Sequence, residues 1–230
     1  MKKVVITGIT GQDGVFLTDV ISKNNKDYVI HGTTRNRNVS EAFFKKLNSL
    51  GTNNFSNIKI EKVNLLNKKD VKEYLEYANP NYIYNLTGPS SVYESLKNPE
   101  KISQEINGIF DNLIYSLLDS KNFPNFYQAS SSEMFGDNGK EYQDEYGEFV
   151  PNSPYAVSKL KVHNKIKSLR EEYDWKFISG IMFNHESEFR KDEYLFMKII
   201  NYAIKARNGK QKGTLVLGSL ELKRDWSYAG

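Results

Sequence analysis

Tyr155 and Lys159 are the residue pair in this sequence whose types and spacing most directly suggest acid–base chemistry. They lie four positions apart, so on an α-helix their side chains project from the same face. An ammonium group beside a phenol favours the phenolate and lowers the pKa of a tyrosine from its usual value of about 10. We therefore expect Tyr155 to act as a general base or acid near neutral pH, supported by Lys159.

Ser131 and Glu133 form a second polar group, directly after the apolar segment 125–129. A serine hydroxyl can donate a hydrogen bond to a substrate oxygen and hold it near Tyr155. A carboxylate suits the removal of a proton next to a ketone, which simple alcohol oxidation does not need. Together these residues suggest oxidation followed by elimination. The alternative is that Glu133 caps a helix or lies on the surface.

The glycines at positions 8, 11 and 14 form a G-x-x-G-x-x-G turn between two apolar segments, 4–6 and 15–17. Glycine allows a tight turn and a close approach of the backbone to a ligand. The free N–H groups at the start of a helix suit a pyrophosphate. The segment therefore predicts a dinucleotide-binding turn between a strand and a helix. A glycine turn that binds nothing is the alternative.

Arg35 follows the second predicted strand, 28–34, and Arg37 lies two residues further on. Simple NAD-binding proteins place an aspartate or glutamate near this position to hold the ribose 2′-hydroxyl. A guanidinium group suits a 2′-phosphate instead, so the sequence favours NADP over NAD. Ordinary solvated arginines are the alternative.

Strand and helix patterns alternate along the chain and predict the elements that position these groups. After the first two strands, further strands are expected at 58–63, 82–86, 125–129, 176–182 and 214–217. Helices are expected at 43–50, 70–77, 99–118, from Pro154 behind the cap Ser153, and around 197–204. The alternation predicts a doubly wound, mainly parallel α/β sheet with helices on both faces. The loop that begins after Leu86 ends a strand at an edge where such sheets bind ligands.

Composition excludes several classes of protein. The 230 residues include no cysteine, so disulfides and thiolate metal sites are excluded, and we assign no metal site. No run approaches the roughly 18 apolar residues of a membrane span, and we expect a soluble cytoplasmic protein. The net charge is +4, and the charges alternate in sign rather than forming a basic stripe. We therefore expect no nucleic-acid partner.

The chain resembles the GDP-mannose 4,6-dehydratase family, a sugar-nucleotide branch of the extended short-chain dehydrogenase/reductases. The resemblance covers essentially the whole chain, through the motifs ITGITGQDG at 6–14, YQASSSE at 127–133 and SPYAVSKL at 153–160. These three motifs mark the extended branch broadly. Two further motifs, FNHES at 183–187 and RDW at 224–226, are more specific to this dehydratase or its close relatives.

The resemblance implies a homodimer or homotetramer that uses NADP to convert GDP-mannose to GDP-4-keto-6-deoxymannose, a step towards GDP-fucose or another deoxyhexose. It implies that Tyr155 removes the C4 hydroxyl proton, while Ser131 hydrogen-bonds that oxygen. It further implies that Lys159 supports Tyr155 and holds the nicotinamide ribose. Glu133 would take the C5 proton and pass a proton to the departing C6 hydroxyl.

The resemblance also implies two sets of binding residues. The cofactor set is Gly8, Ile9, Thr10, Gly11, Gln12, Asp13, Gly14, Arg35, Asn36, Asn64, Leu65, Leu86, Thr87, Gly88, Pro89, Ser90, Tyr155, Lys159, His185 and Arg190. The substrate set is Ser90, Ser131, Asn184, Lys198 and Arg224. On the residues alone, His185 could equally be a packed histidine and Lys198 a solvated charge.

Several positions differ from the family pattern. Asn64 stands where aspartate is usual, Ser91 where histidine is usual and Lys101 where tyrosine is usual, while Glu188 begins a segment that is usually Pro-Arg-Arg-Gly. The catalytic groups are unaffected. We expect these changes to bear on specificity for GDP-mannose and on tetramer assembly.

The expected organisation is an NADP-binding Rossmann domain with the catalytic residues over 1–182, and an incomplete sugar-nucleotide-binding region over 183–230. The family would continue for on the order of a hundred residues past Gly230, so we expect a fragment or a truncated gene product. Two alternatives stay open: another extended-branch epimerase or 4-ketoreductase, and a non-catalytic NADP-binding protein. Glu133 argues against the first, because epimerases and reductases need no carboxylate beside C5.

Overall fold

The structure is a computed structural model that describes residues 1–24, 27–36, 40–210, 213–218, 220–221 and 223–230. Arg37 lies outside the described residues. Contacts between Cα atoms divide the chain into two compact units, Met1–Met182 and Phe183–Gly230.

Strands and helices alternate along the first unit. In chain order the elements are β1 (Lys2–Thr7), α1 (Gln12–Asn24), β2 (Tyr28–Thr34), α2 (Ser40–Ser49), β3 (Ile58–Lys62), α3 (Lys68–Ala78), β4 (Tyr82–Asn85), α4 (Val92–Lys97), α5 (Pro99–Ser120), β5 (Asn125–Ala129), a 3₁₀ turn (Ser132–Phe135), α6 (Pro154–Tyr173) and β6 (Phe177–Gly180). The short helix α4 was not predicted.

The strands of the first unit form one parallel sheet in the order β3-β2-β1-β4-β5-β6. From β1 the chain proceeds outwards through β2 to β3, returns to β4 on the other side of β1, and continues to β6. This confirms the doubly wound, mainly parallel α/β fold. The carboxyl ends of all six strands lie at one edge, and the direction of winding reverses between β1 and β4, where such sheets bind ligands.

The core lies between the sheet and its helices. The stripe predicted on α5 is buried, with Ile102, Ile106, Phe110, Leu113 and Leu117 on its buried face. Helix α5 packs against α3 and α6. The apolar spacing of three and four residues therefore positions α5 against the core, as expected for an amphipathic helix.

The second unit contains β7 (Asn184–Glu186), α7 (Leu195–Arg207) and β8 (Trp226–Tyr228), with β7 and β8 paired in parallel. The predicted strand at 214–217 is wrong, because these residues have no regular structure. Val216 in this segment is 86% exposed, so the short apolar run finds no partner strand. The strand that pairs with β7 instead contains Trp226, from the RDW motif.

Among the described residues, no helix combines the length and the apolar character that crossing a membrane requires.

His31 on β2 is expected to make the fold less stable in weak acid. Its side chain is buried, with the Tyr77 ring centroid 5.6 Å away. Burial lowers the pKa of His31, and the nearby Lys59 and Lys3 lower it further. The folded-state pKa of His31 therefore lies below the usual value of about 6.5. The contribution of the neutral His31 side chain to the free energy of unfolding is fully present above pH 6.5 and is lost as the pH falls through the folded-state pKa.

We expect the free energy of unfolding, measured with urea at pH 7.5 and pH 5.5, to fall less between these pH values in His31→Gln than in the unaltered protein. The matched comparison is His163→Gln, since burial also lowers the pKa of His163. An equal fall in the unaltered protein and in His31→Gln would contradict the assignment.

Candidate active site

Tyr155 and Lys159 lie in the first part of α6, which starts where the sequence predicts. The Ser153 hydroxyl oxygen accepts a hydrogen bond of 3.1 Å from the Ala156 N–H, and Pro154 occupies the first turn. Each of Tyr155 and Lys159 is only 6% exposed, and the Lys159 Nζ lies 5.6 Å from the centre of the Tyr155 ring. The helix therefore presents a buried ammonium beside a buried phenol.

The Lys159 ammonium is held at the end of β5. Its Nζ donates a hydrogen bond of 2.9 Å to the carbonyl oxygen of Ala129, the last residue of that strand. Burial lowers the pKa of Lys159 to about 8, and the Asp13 carboxylate partly opposes that effect. This lowered pKa brings Lys159 towards the range in which the groups of a proton-transfer site operate.

Ser131 and Glu133 lie directly after β5, in and before the 3₁₀ turn. The Ser131 Oγ accepts a hydrogen bond of 3.2 Å from the Glu133 N–H, which leaves the hydroxyl hydrogen available to an outside acceptor. Ser131 is buried and Glu133 is half-buried. Within the described part of the chain, no hydrogen bond or ion pair engages the Glu133 carboxylate. Its oxygens are therefore available for chemistry.

The segment that precedes α6 passes beside the 3₁₀ turn at Val150. The Val150 N–H donates to the Phe135 carbonyl oxygen at 3.3 Å. Gly136 has a φ of +56°, and a Cβ there would overlap the Val150 carbonyl, so only glycine fits this position. Helix α6 and the 3₁₀ turn are in contact, which brings together the elements that carry the four predicted catalytic residues.

A chain of buried side chains leads to the Lys159 site across three strands. The register places Thr7 opposite Asn85, and Asn85 opposite Gln128. The Thr7 hydroxyl donates to Asn85 (2.6 Å), the Asn85 amide donates to Gln128 (2.7 Å), and the Gln128 amide donates to the Ala129 carbonyl (3.0 Å). We call these three side chains the amide chain. It shares its last acceptor with Lys159.

Sequence reasoning missed the amide chain, although a signal was present. Thr7 and Asn85 are the last residues of β1 and β4, and Gln128 is the last but one of β5. Polar residues at the carboxyl ends of three otherwise buried parallel strands are expected to meet at one edge of the sheet. The amide chain satisfies groups that would otherwise be costly to bury.

The glycine turn forms a close-fitting cradle at the start of α1. Gly8 has a φ of +69°, and the Gly11 N–H donates to the Gly8 carbonyl oxygen at 2.9 Å. A Cβ at Gly8 would lie 3.0 Å from the Thr87 Oγ1, so the turn meets the loop after β4. The Thr87 Oγ1 is buried and has no hydrogen-bond partner among the described residues. An orphaned donor beside a helix N-terminus fits a dinucleotide phosphate.

Gly14→Ala is expected to disrupt this cradle. The added Cβ would overlap the backbone carbonyl of Ile9, which cannot move aside as a flexible side chain would. We expect a loss of roughly 1–3 kcal/mol in the free energy of unfolding and weaker dinucleotide binding, measured by urea unfolding and by titration. In the control Gly218→Ala, the added methyl group meets nothing within 4 Å. Unchanged unfolding in both variants would contradict the prediction.

Four predicted cofactor residues follow β2 and β3. Arg35 and Asn36 are exposed, and the Asn36 N–H donates to the Thr34 hydroxyl at 3.2 Å. Asn64 is exposed, and its Oδ1 accepts a hydrogen bond from the Leu66 N–H. Leu65 is buried. These residues lie at the carboxyl edge of the sheet, on the β2–β3 side of the glycine turn.

A family model described as GDP-mannose 4,6 dehydratase matches residues 5–230. The chain belongs to this family. GDP-mannose 4,6 dehydratase 2 of Arabidopsis thaliana is 32% identical over 237 residues, which cover 100% of this chain and 62% of that protein. GDP-mannose 4,6-dehydratase of Vibrio cholerae is 32% identical over 234 residues, covering 99% of this chain and 61% of that protein. The chain therefore spans about 62% of the length of the first of these relatives.

Solved structures confirm the fold. UDP-N-acetylglucosamine 4-epimerase from Methanobrevibacter ruminantium, in complex with UDP-N-acetylmuramic acid, has a TM-score of 0.81 at 23% identity, over 99% of this chain and 69% of that one. RMD from Pseudomonas aeruginosa, with NADPH, has a TM-score of 0.79 at 19% identity, over 99% and 70%. Bacillus anthracis dTDP-glucose 4,6-dehydratase, with NAD, has a TM-score of 0.80 at 18% identity, over 100% and 68%.

Ser91, at which we expect a departure from the pattern of the GDP-mannose 4,6-dehydratase family, has a structural role. It is the N-cap of α4, and its Oγ accepts a hydrogen bond of 3.2 Å from the Glu94 N–H. The predicted cofactor loop 86–90 therefore ends at a capped helix. Serine is a preferred residue at an N-cap, so Ser91 stabilises the start of α4.

The remaining predicted residues of this family member lie in the second unit. Asn184 and His185 are on β7, and the His185 Nδ1 lies 2.7 Å from the Phe183 carbonyl oxygen. The Arg190 guanidinium lies 3.3 Å from the Glu186 carboxylate. Lys198 and Arg224 are exposed.

The second unit also contains a mainly apolar cavity of about 480 Å³. Its lining includes Phe196, Met197, Ile200, Trp226 and Tyr228. Over the described ranges, no group of three or more histidine, aspartate or glutamate side chains is arranged to hold a metal ion.

Proposed function

We propose that this chain carries the catalytic residues of a sugar-nucleotide 4,6-dehydratase that converts GDP-mannose to GDP-4-keto-6-deoxymannose with NADP. The observation that carries the proposal is the buried Tyr155–Lys159 pair on α6, a helix that contacts the turn bearing Glu133. Membership of the GDP-mannose 4,6-dehydratase family supports the same reaction. The identity of the sugar nucleotide rests on that family membership.

The cradle of the first unit supports a nicotinamide cofactor. The 8–14 turn would hold the pyrophosphate of the cofactor beside the Thr87 hydroxyl. Lys159 would hold the nicotinamide ribose. Arg35 favours NADP over NAD, because a guanidinium group suits the 2′-phosphate. Of the structurally similar proteins, one is a complex with NADPH and another a complex with NAD. When bound, the nicotinamide cofactor would supply the hydride chemistry, as the acceptor for the hydride of C4 and the donor of a hydride to C6.

The first task of the protein groups is to remove a proton from the C4 hydroxyl. Tyr155, as phenolate, takes this proton, and the Lys159 ammonium beside it stabilises the phenolate. The Ser131 hydroxyl donates a hydrogen bond to the C4 oxygen, since its own oxygen is occupied by the Glu133 N–H. Oxidation turns this C4 oxygen into a carbonyl.

The second task is the loss of water across C5 and C6. A C4 ketone acidifies the neighbouring C5–H, and the Glu133 carboxylate takes that proton. The protonated Glu133 then donates a proton to the C6 hydroxyl, which leaves as water as the C5–C6 double bond forms. The hydride delivered to C6 and a proton taken up from solvent at C5 complete the 6-deoxy product. Tyr155 releases the C4 hydroxyl proton to solvent, so the net change is the loss of one water.

The second-unit residues would bind the ligands. We propose that Lys198 and Arg224 face the substrate phosphates, with Asn184 and the first-unit Ser90 contacting the sugar nucleotide. His185 and Arg190 would contact the cofactor. Cytoplasmic location stays a prediction from the composition, and assembly as a homodimer or homotetramer stays a prediction from the family resemblance.

Mass spectrometry of GDP-mannose incubated with the protein and NADP⁺ tests the proposal. We expect a product lighter than the substrate by one water. A product of unchanged mass but altered sugar configuration would favour an epimerase instead. An absence of any product, with a dinucleotide still bound in a thermal-shift assay, would favour a non-catalytic NADP-binding role. Parallel incubations with UDP-glucose and dTDP-glucose test the choice of nucleotide.

A further inference from the structure

Arg35, the residue that favours a 2′-phosphate, forms an ion pair with Glu105 on α5. The Arg35 Nη1 lies 3.7 Å from the Glu105 Oε2. The Arg35 side chain is 78% exposed, whereas the Glu105 side chain is only 15% exposed. In the described part of the chain, Arg35 is the one cation whose nitrogen lies within 4 Å of this carboxylate. The pair links the end of β2 to a helix that follows β4.

The segment of α5 around Glu105 lies at the ligand-binding edge of the sheet. A Cβ at Gly108 of α5 would lie 3.3 Å from the Leu66 side chain, in the loop after β3. A Cβ at Gly88, in the loop after β4, would lie 3.9 Å from the Ile106 side chain. Glu105 therefore lies where the segments after β2, β3 and β4 converge. In a doubly wound sheet this region receives the adenosine half of a dinucleotide.

A carboxylate in this position acts against a 2′-phosphate in two ways. It partly neutralises the positive charge of the guanidinium group that the phosphate would engage, and its own negative charge repels the phosphate. Its limited exposure reduces the screening of that repulsion by salt. A ribose 2′-hydroxyl is neutral and experiences neither effect to the same degree. The ion pair therefore distinguishes the two forms of the cofactor.

We propose that Glu105 is a specificity-determining residue that weakens the preference of Arg35 for a 2′-phosphate, so that the site accepts nicotinamide dinucleotides with or without this group. The inference rests on the proposed dinucleotide site and adds a residue that opposes Arg35. The choice between NADP and NAD then depends on both Arg35, which follows β2, and Glu105 on α5, rather than on Arg35 alone.

Titration of the full 230-residue chain with NADPH and NADH, followed by nicotinamide fluorescence, tests the proposal in Glu105→Gln. This change keeps the side-chain shape and removes the charge. We expect the ratio of NADPH affinity to NADH affinity to rise about fivefold. The matched control is Glu100→Gln, an exposed glutamate in the first turn of the same helix, which should leave the ratio unchanged. Thermal unfolding confirms that both variants are folded.

The same titration in an Arg35→Gln background separates the two effects. We expect the gain from Glu105→Gln to shrink there, because only the direct repulsion remains. An unchanged or lower affinity ratio in Glu105→Gln, with binding retained, would overturn the role of Glu105 and leave the dinucleotide site standing. A failure of the unaltered chain to bind either dinucleotide would overturn the site and the inference together.

Discussion

Tyr155→Phe is expected to lower kcat for the sugar nucleotide by about a hundredfold or more, because it removes the group that takes the C4 hydroxyl proton. The ring of Tyr155 lies in a buried position on α6, and phenylalanine preserves that packing. We therefore expect the free energy of unfolding to stay close to that of the unaltered protein. Steady-state assays of product formation measure kcat, and urea unfolding measures the stability.

The matched control is Tyr173→Phe, since Tyr173 lies at the exposed end of the same helix. We expect its kcat to equal that of the unaltered protein. If Tyr155→Phe retained a kcat within about threefold of that value, Tyr155 would not be the base.

Glu133→Gln is expected to stop dehydration at the step after C4 oxidation. Glutamine keeps the N–H that donates to Ser131 and the size of the side chain, but it cannot take the C5 proton. We expect the rate of water loss to fall by about a hundredfold or more. In deuterium oxide, the unaltered enzyme should incorporate solvent deuterium at C5, and the variant should not.

Nuclear magnetic resonance of the recovered sugar nucleotide measures this incorporation. Glu141→Gln, an exposed glutamate in the loop that follows the 3₁₀ turn, is the control and should behave as the unaltered enzyme does. Solvent deuterium at C5 in Glu133→Gln, at the normal rate, would assign the proton transfer to another group. Loss of C4 oxidation as well would indicate that Glu133 acts earlier than proposed.

The sequence predicts those parts of the fold that local pattern determines. The apolar spacing from Ile102 to Leu117 predicts α5 and its buried face, and Ser153 with Pro154 predicts the start of α6. The alternation of strand and helix predicts the sheet and its winding. It also follows that Tyr155 and Lys159 share a helix face, because four residues separate them.

The features that sequence reasoning missed depend on contacts between distant parts of the chain. The ion pair joins Arg35, which follows β2, to Glu105 on α5, in a part of the chain far away in the sequence. The strand β8 pairs with β7, whereas the apolar run at 214–217 has no regular structure. Period-two patterns identify segments that are able to pair, but they do not identify the partner.

The hydrogen bonds of the amide chain all point the same way, and this has a consequence for how its residues can change in evolution. Each of its members donates towards Ala129, so none can reverse its role without leaving a buried donor facing a donor or an acceptor facing an acceptor. Changes at Thr7, Asn85 and Gln128 should therefore be tolerated together more readily than singly. We expect these three positions, far apart in the sequence, to covary among relatives of this chain.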